Sequence, residues 1–584
     1  MLRSLTVCDP TVGSGAFLFA ALDILEPLYS EVLARAVELE ARNEPVPPFL
    51  AEARSHPSSR YWLLKTICLH NLFGVDLMRD APEIAKLRLF LKLAAQVDDV
   101  EHLEPLPDLD FNIKCGNLLV GIADADDARG RLFSHKLDHV TQLEQVEHTA
   151  QHIADAFDAY IAAETDDTGQ LDHSNAKQDL NAELQAARSM ADTLLHEMRD
   201  EDGDLDDWES SHQPFHWFVE FPSVWRQGGF DVIIGNPPYV KTSRVTSYRW
   251  LGYATQACPD LYAVCMERAA TLLNSSGRVA MIVMHSLCFS NNYRVLRDHL
   301  VSEYNSLWVS SYSRNPGGLF SPSSDVRNTI FVGANSPKPL GMRTTRCWRW
   351  YVPFRPTLFD SIEYVHPADT LFTRGNTRSW PFTDNAPVHV AFTKMMQRQA
   401  PIASVLCKDS DFQLGYRTTA LHMLGFHEEE PPTIDPKTNR QVTTKANRSG
   451  WMYFDNSLRR DLAFLALAGR WGFNWWLMLD DSFHVNKGVI TQFPADIQRI
   501  EALSGDRGMV VKKLMGLAST LKTRMMENLE WKAHAKLLVG KYNLLKCIDT
   551  TDEADLLLAQ LWGIEDAFEA AGNLRDRMVF GNKE

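Results

Sequence analysis

Cysteine is scarce and scattered in this sequence. The 584 residues hold nine, and no two stand as Cys-x-x-Cys. That spacing argues against a zinc ribbon or a disulfide framework and fits a reducing compartment. Long apolar runs are missing as well; none reaches the ~18 residues that span a bilayer. The opening Met1-Leu2-Arg3-Ser4-Leu5-Thr6-Val7 is too short and polar for a secretory signal. A cytoplasmic protein with no membrane partner is expected. Internal repeats are absent. Positive charge is in deficit, with 59 Lys and Arg against 75 Asp and Glu and a formal charge of -16. That total disfavours a nucleic-acid partner, because phosphate affinity comes largely from Lys and Arg.

The deficit is local, however. Residues 141–210 carry 19 acidic and 3 basic side chains, which accounts for the whole formal charge of -16. The rest of the chain is balanced, with 56 of each sign, and 241–350 holds 13 Lys and Arg against 5 Asp and Glu. The charge total therefore excludes less than it first suggests. What is present in quantity is ordinary globular material, 45% hydrophobic and 23% charged. At roughly 150 residues per domain, about two to four domains are expected, each able to bury a core.

Strand and helix signals alternate along the first third. Leu5 to Cys8 reads as a short buried strand, followed by Asp9-Pro10-Thr11-Val12-Gly13-Ser14-Gly15 and a helix from Ala16. Leu72-Phe73-Gly74-Val75-Asp76 is a second strand, before an Ala- and Leu-rich helix over 81–93. Phe111 to Leu119 contains a third strand end. The nearly continuous apolar run Phe230 to Ile234 is a fourth strand, buried on both faces. A helix over 261–273 and a strand over 278–284 follow. This alternation predicts an α/β fold with a doubly wound, mostly parallel sheet. Residues 141–199 interrupt it with helical periodicity, and Asp200–Asp207 is an acidic run. Such a stretch suits a solvated face, or a DNA mimic or partner-binding arm. Residues 340–500 are rich in Trp, Arg and Pro, and 508–548 shows a basic pattern read as helix.

The glycine loop is not Gly-x-Gly-x-x-Gly, and no Gly-Lys-Ser/Thr follows it. A Rossmann dinucleotide site and a P-loop are therefore disfavoured. Small residues between a strand and a helix N-terminus still let a ligand approach the backbone. Asp76 suits two roles, capping the next helix or accepting hydrogen bonds from a ribose diol. Taken with the loop, it points to an adenosine-containing ligand. Asn236-Pro237-Pro238-Tyr239 is more specific. Two prolines fix an extended backbone and remove two N–H donors. The Asn236 side-chain oxygen and the Pro237 carbonyl remain as acceptors beside the aromatic face of Tyr239. That set suits an exocyclic amine on a planar ring.

Asp9-Pro10-x-x-Gly13-Ser14-Gly15, Gly74-Val75-Asp76, Gly116-Asn117-Leu118 and Asn236-Pro237-Pro238-Tyr239, in this order, resemble DNA adenine-N6 methyltransferases that place the cofactor motifs first. The run from Asp9 to Tyr29 is similar to the large methyltransferases of BREX phage defence, of the PglX kind. Phe483-His484-Val485-Asn486-Lys487-Gly488 is similar to target-recognition regions of type IIG restriction-modification enzymes. The resemblance implies S-adenosyl-L-methionine as cofactor, contacted by Asp9, Pro10, Gly13, Gly15, Phe17, Asp76, Asn117 and Asn236. It implies catalysis by Asn236, Pro237, Pro238 and Tyr239 on a flipped adenine, with Phe320 packing against the base or simply in the core. Double-stranded DNA is the implied partner, tracked by Lys241, Arg244 and Arg249, and no metal is implied. Other defence-system proteins are possible further partners.

The resemblance also implies a domain plan. The methyltransferase core would occupy 1–122 and 215–340, around an acidic helical insertion at 123–214. A mixed α+β target-recognition region would span 341–500, and a helical region 501–584. Two departures stand out. Asn117 replaces an Asp common in the family, and the chain opens on the first strand, where the family carries a further upstream segment. A truncated or split gene product is the expectation. Two alternatives follow: a catalytically incomplete fragment that binds DNA or partners, and a methyltransferase acting on protein glutamine.

Overall fold

The computed structural model describes residues 2–46, 52–54, 56–97, 106–131, 137–165, 173–199, 203–314, 317–320, 326–367, 379–420, 423–442, 449–534 and 536–580. Part of the acidic run, 200–202, lies outside them.

An eight-stranded sheet organises the N-terminal half. Its strands are β1 (Val7–Asp9), β2 (Leu72–Asp76), β3 (Ile113–Cys115), β4 (Phe230–Gly235), β5 (Leu273–Met284), β6 (Ser306–Tyr312), β7 (Asn328–Ala334) and β8 (Gly341–Trp348). They lie in the order β3-β2-β1-β4-β5-β7-β6-β8, and β3 through β5 pair in parallel. The fold is α/β with a doubly wound sheet, as expected. The chain runs outward from β1 through β2 to β3 and then returns to place β4 on the other side of β1. The order therefore reverses between β1 and β4, and a crevice opens beyond their carboxyl ends.

Two compact units make up the chain. One comprises 1–284, 295–308 and 330–341; the other comprises 285–294, 309–329 and 342–584. In the first, the acidic segment forms the helices Leu137–Thr165 and His173–Arg199. Each is two-sided. Leu143, Val146, Ile153, Leu180, Leu184 and Leu194 join Leu64, Leu89 and Ile113 in one core. Asp155, Asp158, Asp179 and Glu183 stay exposed. These four acids thus sit on the outer face of helices whose inner face the core needs. Inside, Glu220 accepts from Lys114 Nζ (2.9 Å) and from Arg188 Nη2 (2.7 Å), which ties the insertion to β3.

The second unit packs the helices Ser457–Ala468, Arg470–Leu479, Gly505–Glu527 and Ile548–Trp562 around one core. Two four-stranded sheets flank them. One has the order β11-β10-β14-β9, from β9 (Leu406–Cys407), β10 (Phe412–Arg417), β11 (Phe426–His427) and β14 (Ser449–Phe454). The other is β13-β12-β16-β15, from β12 (Thr433–Asp435), β13 (Arg440–Gln441), β15 (Leu529–His534) and β16 (Leu537–Tyr542). The helix expected over 508–548 is corrected here, because it ends at Glu527 and 529–542 is a hairpin. The reason is local. Leu529-Glu530-Trp531-Lys532-Ala533-His534 alternates apolar and polar with period two, which suits a strand.

Among the described residues, no helix is long and apolar enough to cross a membrane.

Candidate functional site

The crevice between β1 and β4 collects the motifs. Asp9 ends β1 and is 1% exposed. Its Oδ1 accepts from the Thr11 N–H (3.0 Å), while Oδ2 is buried with no hydrogen-bond partner among the described residues. Gly235 closes β4 directly opposite. A Cβ there would stand 2.9 Å from Asp9 Oδ1 and 3.3 Å from Thr11 Oγ1, so this close approach needs glycine. Thr11 carries no motif signal of its own, and its part at this contact is visible only in the fold.

The glycine loop is held by backbone bonds, from Val12 N–H to the Val75 carbonyl (2.9 Å) and from Gly15 N–H to the Val12 carbonyl (2.8 Å). Gly15 caps the helix Ala16–Ala41 in the left-handed region, φ 78°. A Cβ on it would stand 3.0 Å from the Cβ of Ala85, on the helix Asp80–Ala94. Gly13 faces open space, with only the Thr11 carbonyl, at 3.9 Å, near a built Cβ. The Gly13 N–H donates to Asp76 Oδ2 and the Met78 N–H to Asp76 Oδ1, both at 2.9 Å. The ends of β1 and β2 are thereby locked together. A carboxylate has about four lone-pair sites, so Asp76 retains capacity for a diol. Pro10 is buried, and Phe17 is half-buried on the first turn of the helix.

Asn236 follows β4. Its Oδ1 is buried and lacks a partner among the described residues. A buried acceptor left unpaired is rare and calls for an explanation. Pro237 is buried and Pro238 exposed. Tyr239 donates its hydroxyl to the Ile282 carbonyl of β5 (3.0 Å) and meets Tyr262 edge-on, centroids 6.3 Å apart. The prolines and this anchor hold the loop stiffly beside the orphaned oxygen.

The remaining expected residues are placed differently. Asn117 is 2% exposed; its Nδ2 donates to the His212 carbonyl (3.0 Å) and its Oδ1 accepts from the Leu119 N–H (3.1 Å). Its side chain holds its own turn and ties that turn to the chain at His212. Lys241 pairs with the buried Asp260 (2.8 Å). Arg244 and Arg249 are exposed. Phe320 is half-buried and belongs to the second unit. A clamp that leaves no sequence signal joins distant segments. Buried Arg268 donates to Asp127 (2.7 Å), to the Gly121 carbonyl (3.0 Å) and to the Tyr253 hydroxyl (2.7 Å). Tyr253 in turn donates to the Leu119 carbonyl (3.0 Å), which fixes the Asn117 turn against the chain after Tyr239. Among the described residues, no cluster of three or more His, Cys, Asp or Glu suits a metal ion.

Burial pushes the Asp9 carboxyl up to about 7; the Thr11 N–H opposes this and the Asp76 charge adds to it. The folded state therefore favours the protonated acid. Stability from this group is fully present below its unfolded value near 4 and is lost as pH rises through about 7. Asp9→Asn should flatten the stability profile over that window. Urea midpoints measured from pH 4 to 8 test this, and a profile as steep as that of the parent chain would reject it.

Residues 70–315 match the family model described as Eco57I restriction-modification methylase. Among curated proteins the chain is 27% identical, over 349 residues, to a protein of Methanocaldococcus jannaschii assigned as a type II restriction enzyme and methyltransferase, covering 52% of this chain and 28% of that one. It is 23% identical, over 309 residues, to the adenine-specific methyltransferase PglX of Lacticaseibacillus casei, covering 52% and 21%. Among solved structures, a DrdV–DNA complex aligns at 13% identity with a TM-score of 0.31, covering 63% of this chain and 27% of that one. The chain spans about a quarter of the length of these curated relatives.

Proposed function

We propose that this methylase domain transfers a methyl group from S-adenosyl-L-methionine to N6 of adenine in DNA, on a base turned out of the duplex, within a phage-defence or restriction-modification system. One observation carries the reading. A buried amide oxygen, Asn236 Oδ1, with no hydrogen-bond partner among the described residues, sits on a proline-stiffened loop at the crevice where the sheet reverses. The match to a methylase family supports it.

The residues present fit the cofactor. Gly13 leaves open space at the loop, Asp76 can accept from a ribose, and Asp9 offers a buried oxygen with no partner among the described residues. When bound, S-adenosyl-L-methionine supplies an electrophilic methyl group. The chain's own contribution is electronic and positional. An adenine amine is a poor nucleophile because its lone pair is delocalised into the ring. Asn236 Oδ1 and the Pro237 carbonyl accept its two hydrogens and draw electron density back onto nitrogen. Tyr239 offers a ring face for stacking, and its hydroxyl bond to β5 keeps that face in place. Base extrusion is required because N6 is otherwise paired. On this reading 1–122 and 215–340 hold cofactor and base, 123–214 is an insertion, 341–500 reads the DNA sequence and 501–584 supports it, with Lys241, Arg244, Arg249 and Phe320 at the substrate.

The test is incubation with duplex DNA and methyl-labelled cofactor, then digestion to nucleosides. Label in N6-methyladenine is the expected result. Label on cytosine or on protein glutamine, or cofactor bound with no transfer to any DNA offered, would overturn the assignment.

A further inference from the structure

The second unit holds a cleft of about 430 Å³ remote in sequence from the glycine loop and from the Asn236–Tyr239 loop. Ligand pockets commonly fall in the range of ~300–1,000 Å³. Three arginines line it from three separate helices: Arg398 at the end of Ala386–Arg398, Arg499 in Ile497–Glu501 and Arg507 in Gly505–Glu527. All three are exposed. The floor is apolar and includes Leu503, Val510 and Trp562, the last only 6% exposed.

Asp496 is the single acid among the described lining residues, and Arg499 is its distant partner at 3.9 Å. No carboxylate pairs with Arg398 or Arg507 among the described residues. Like charges on one small concave surface repel, and an anion resolves that repulsion. Asp496 adds an independent sign. It is one of few non-glycine residues in the left-handed region, φ 48°, a conformation that costs energy and gathers at ligand clamps. It precedes the helix Ile497–Glu501 but makes no side-chain capping bond. Its backbone is therefore strained, and its carboxylate does not cap the helix.

We infer that this cleft binds a nucleoside phosphate. Guanidiniums take phosphate oxygens in paired hydrogen bonds. A carboxylate accepts from the two hydroxyls of a ribose. The apolar floor with its indole covers a planar base. The lining charge of three arginines and one aspartate complements a ligand carrying two or three negative charges. This site is distinct from the glycine loop and does not depend on the methyl-transfer reading.

The experiment is calorimetric titration of the full chain with ADP, with adenosine and inorganic phosphate as part-ligands. ADP should bind in the micromolar range, and each part-ligand at least about tenfold more weakly. Arg398→Ala and Arg507→Ala should each weaken ADP by about tenfold or more, the loss of one charge-assisted contact. Asp496→Asn should weaken ADP but leave inorganic phosphate unchanged. Arg398 and Arg507 are exposed, so their replacement is safe for folding, and melting curves check this for them and for the half-buried Asp496. Four results would overturn the inference: no heat up to millimolar ADP; binding indifferent to all three variants; binding lost in Asp76→Ala but kept in Arg398→Ala, which places the nucleotide at the glycine loop; or displacement of ADP by a short DNA duplex whose own binding fails in the same arginine variants, which assigns the cleft to DNA phosphates.

Discussion

Asn236→Ala should lower the rate of methyl transfer to DNA by at least about 10²-fold while leaving the melting temperature unchanged. The two halves of that result belong together. Removing one aimed acceptor or donor from a catalytic cavity commonly costs ~10²–10³ in rate, because the group acts where charge develops. An ordinary buried polar side chain behaves in the opposite way, since its loss leaves a partner unpaired and destabilises the fold. Asn236 Oδ1 has no partner within the described protein, so its removal orphans nothing. Single-turnover methylation with saturating cofactor gives the rate, and a thermal melt gives the control. Tyr239→Phe should be mild, because the hydroxyl only anchors the ring to the Ile282 carbonyl, whereas Tyr239→Ala removes the stacking face itself. A large fall in melting temperature with an intact rate for Asn236→Ala would make the asparagine structural.

Why that loop was legible in sequence, and other features were not, follows from the range of the interactions involved. β2 falls at Leu72–Asp76, as its apolar run and terminal acid indicate, and β4 at Phe230–Gly235. Both lie between parallel neighbours; β2 is buried almost throughout, whereas β4 buries Phe230, Ile233 and Gly235 and leaves Asp231, Val232 and Ile234 half-buried. The glycine loop is equally local. Its partner Asp76 is 63 residues away, yet a strand ending in an acid announces it.

The failures are of another kind. Between Leu529 and Tyr542 the spacing of the lysines suggests a helical face, but the two-residue alternation of the apolar positions favours the hairpin that forms. Charge spacing is a weaker signal than apolar spacing because solvated lysines tolerate either structure. Lys241 looks free beside the catalytic loop in sequence, but Asp260, 19 residues on, already neutralises it. Asn117 looks available to a ligand, but its amide oxygen holds its own turn and its amide nitrogen donates to the His212 carbonyl, 95 residues on. The clamp of Arg268, Asp127 and Tyr253 spans up to 141 residues and no pattern in the chain could reveal it. Composition treated the acidic segment as surface, whereas one side of each of its long helices is core.

The tie between that segment and β3 yields a large expected stability effect. Glu220→Ala should destabilise the first unit by ~3–5 kcal/mol, because breaking a buried ion pair strands its partner. Glu220 and Lys114 are 5% and 6% exposed, and the ammonium also donates to the Glu220 backbone carbonyl (2.8 Å). Without the carboxylate, Lys114 keeps a buried charge beside Phe221 and beside the guanidinium of Arg188. Burial pushes the Glu220 acid up, but Lys114 and Arg188 together overcome it and hold it at about 2. A depressed carboxyl stabilises the fold above its unfolded value of about 4.3, and that stabilisation is lost as pH falls through about 2. The parent chain should therefore weaken between about pH 4 and pH 2, and Glu220→Ala should lose this part of its acid sensitivity. The double change Lys114→Met with Glu220→Leu should recover much of the loss, since a packed apolar pair can match a buried ion pair. Urea denaturation at pH 7 and pH 3 measures all three chains. A loss below about 1 kcal/mol for Glu220→Ala would mean that water reaches the pair, and the insertion would then be held by its apolar face and its other polar contacts, such as Asp192 with His216 and Lys177 with Asp110.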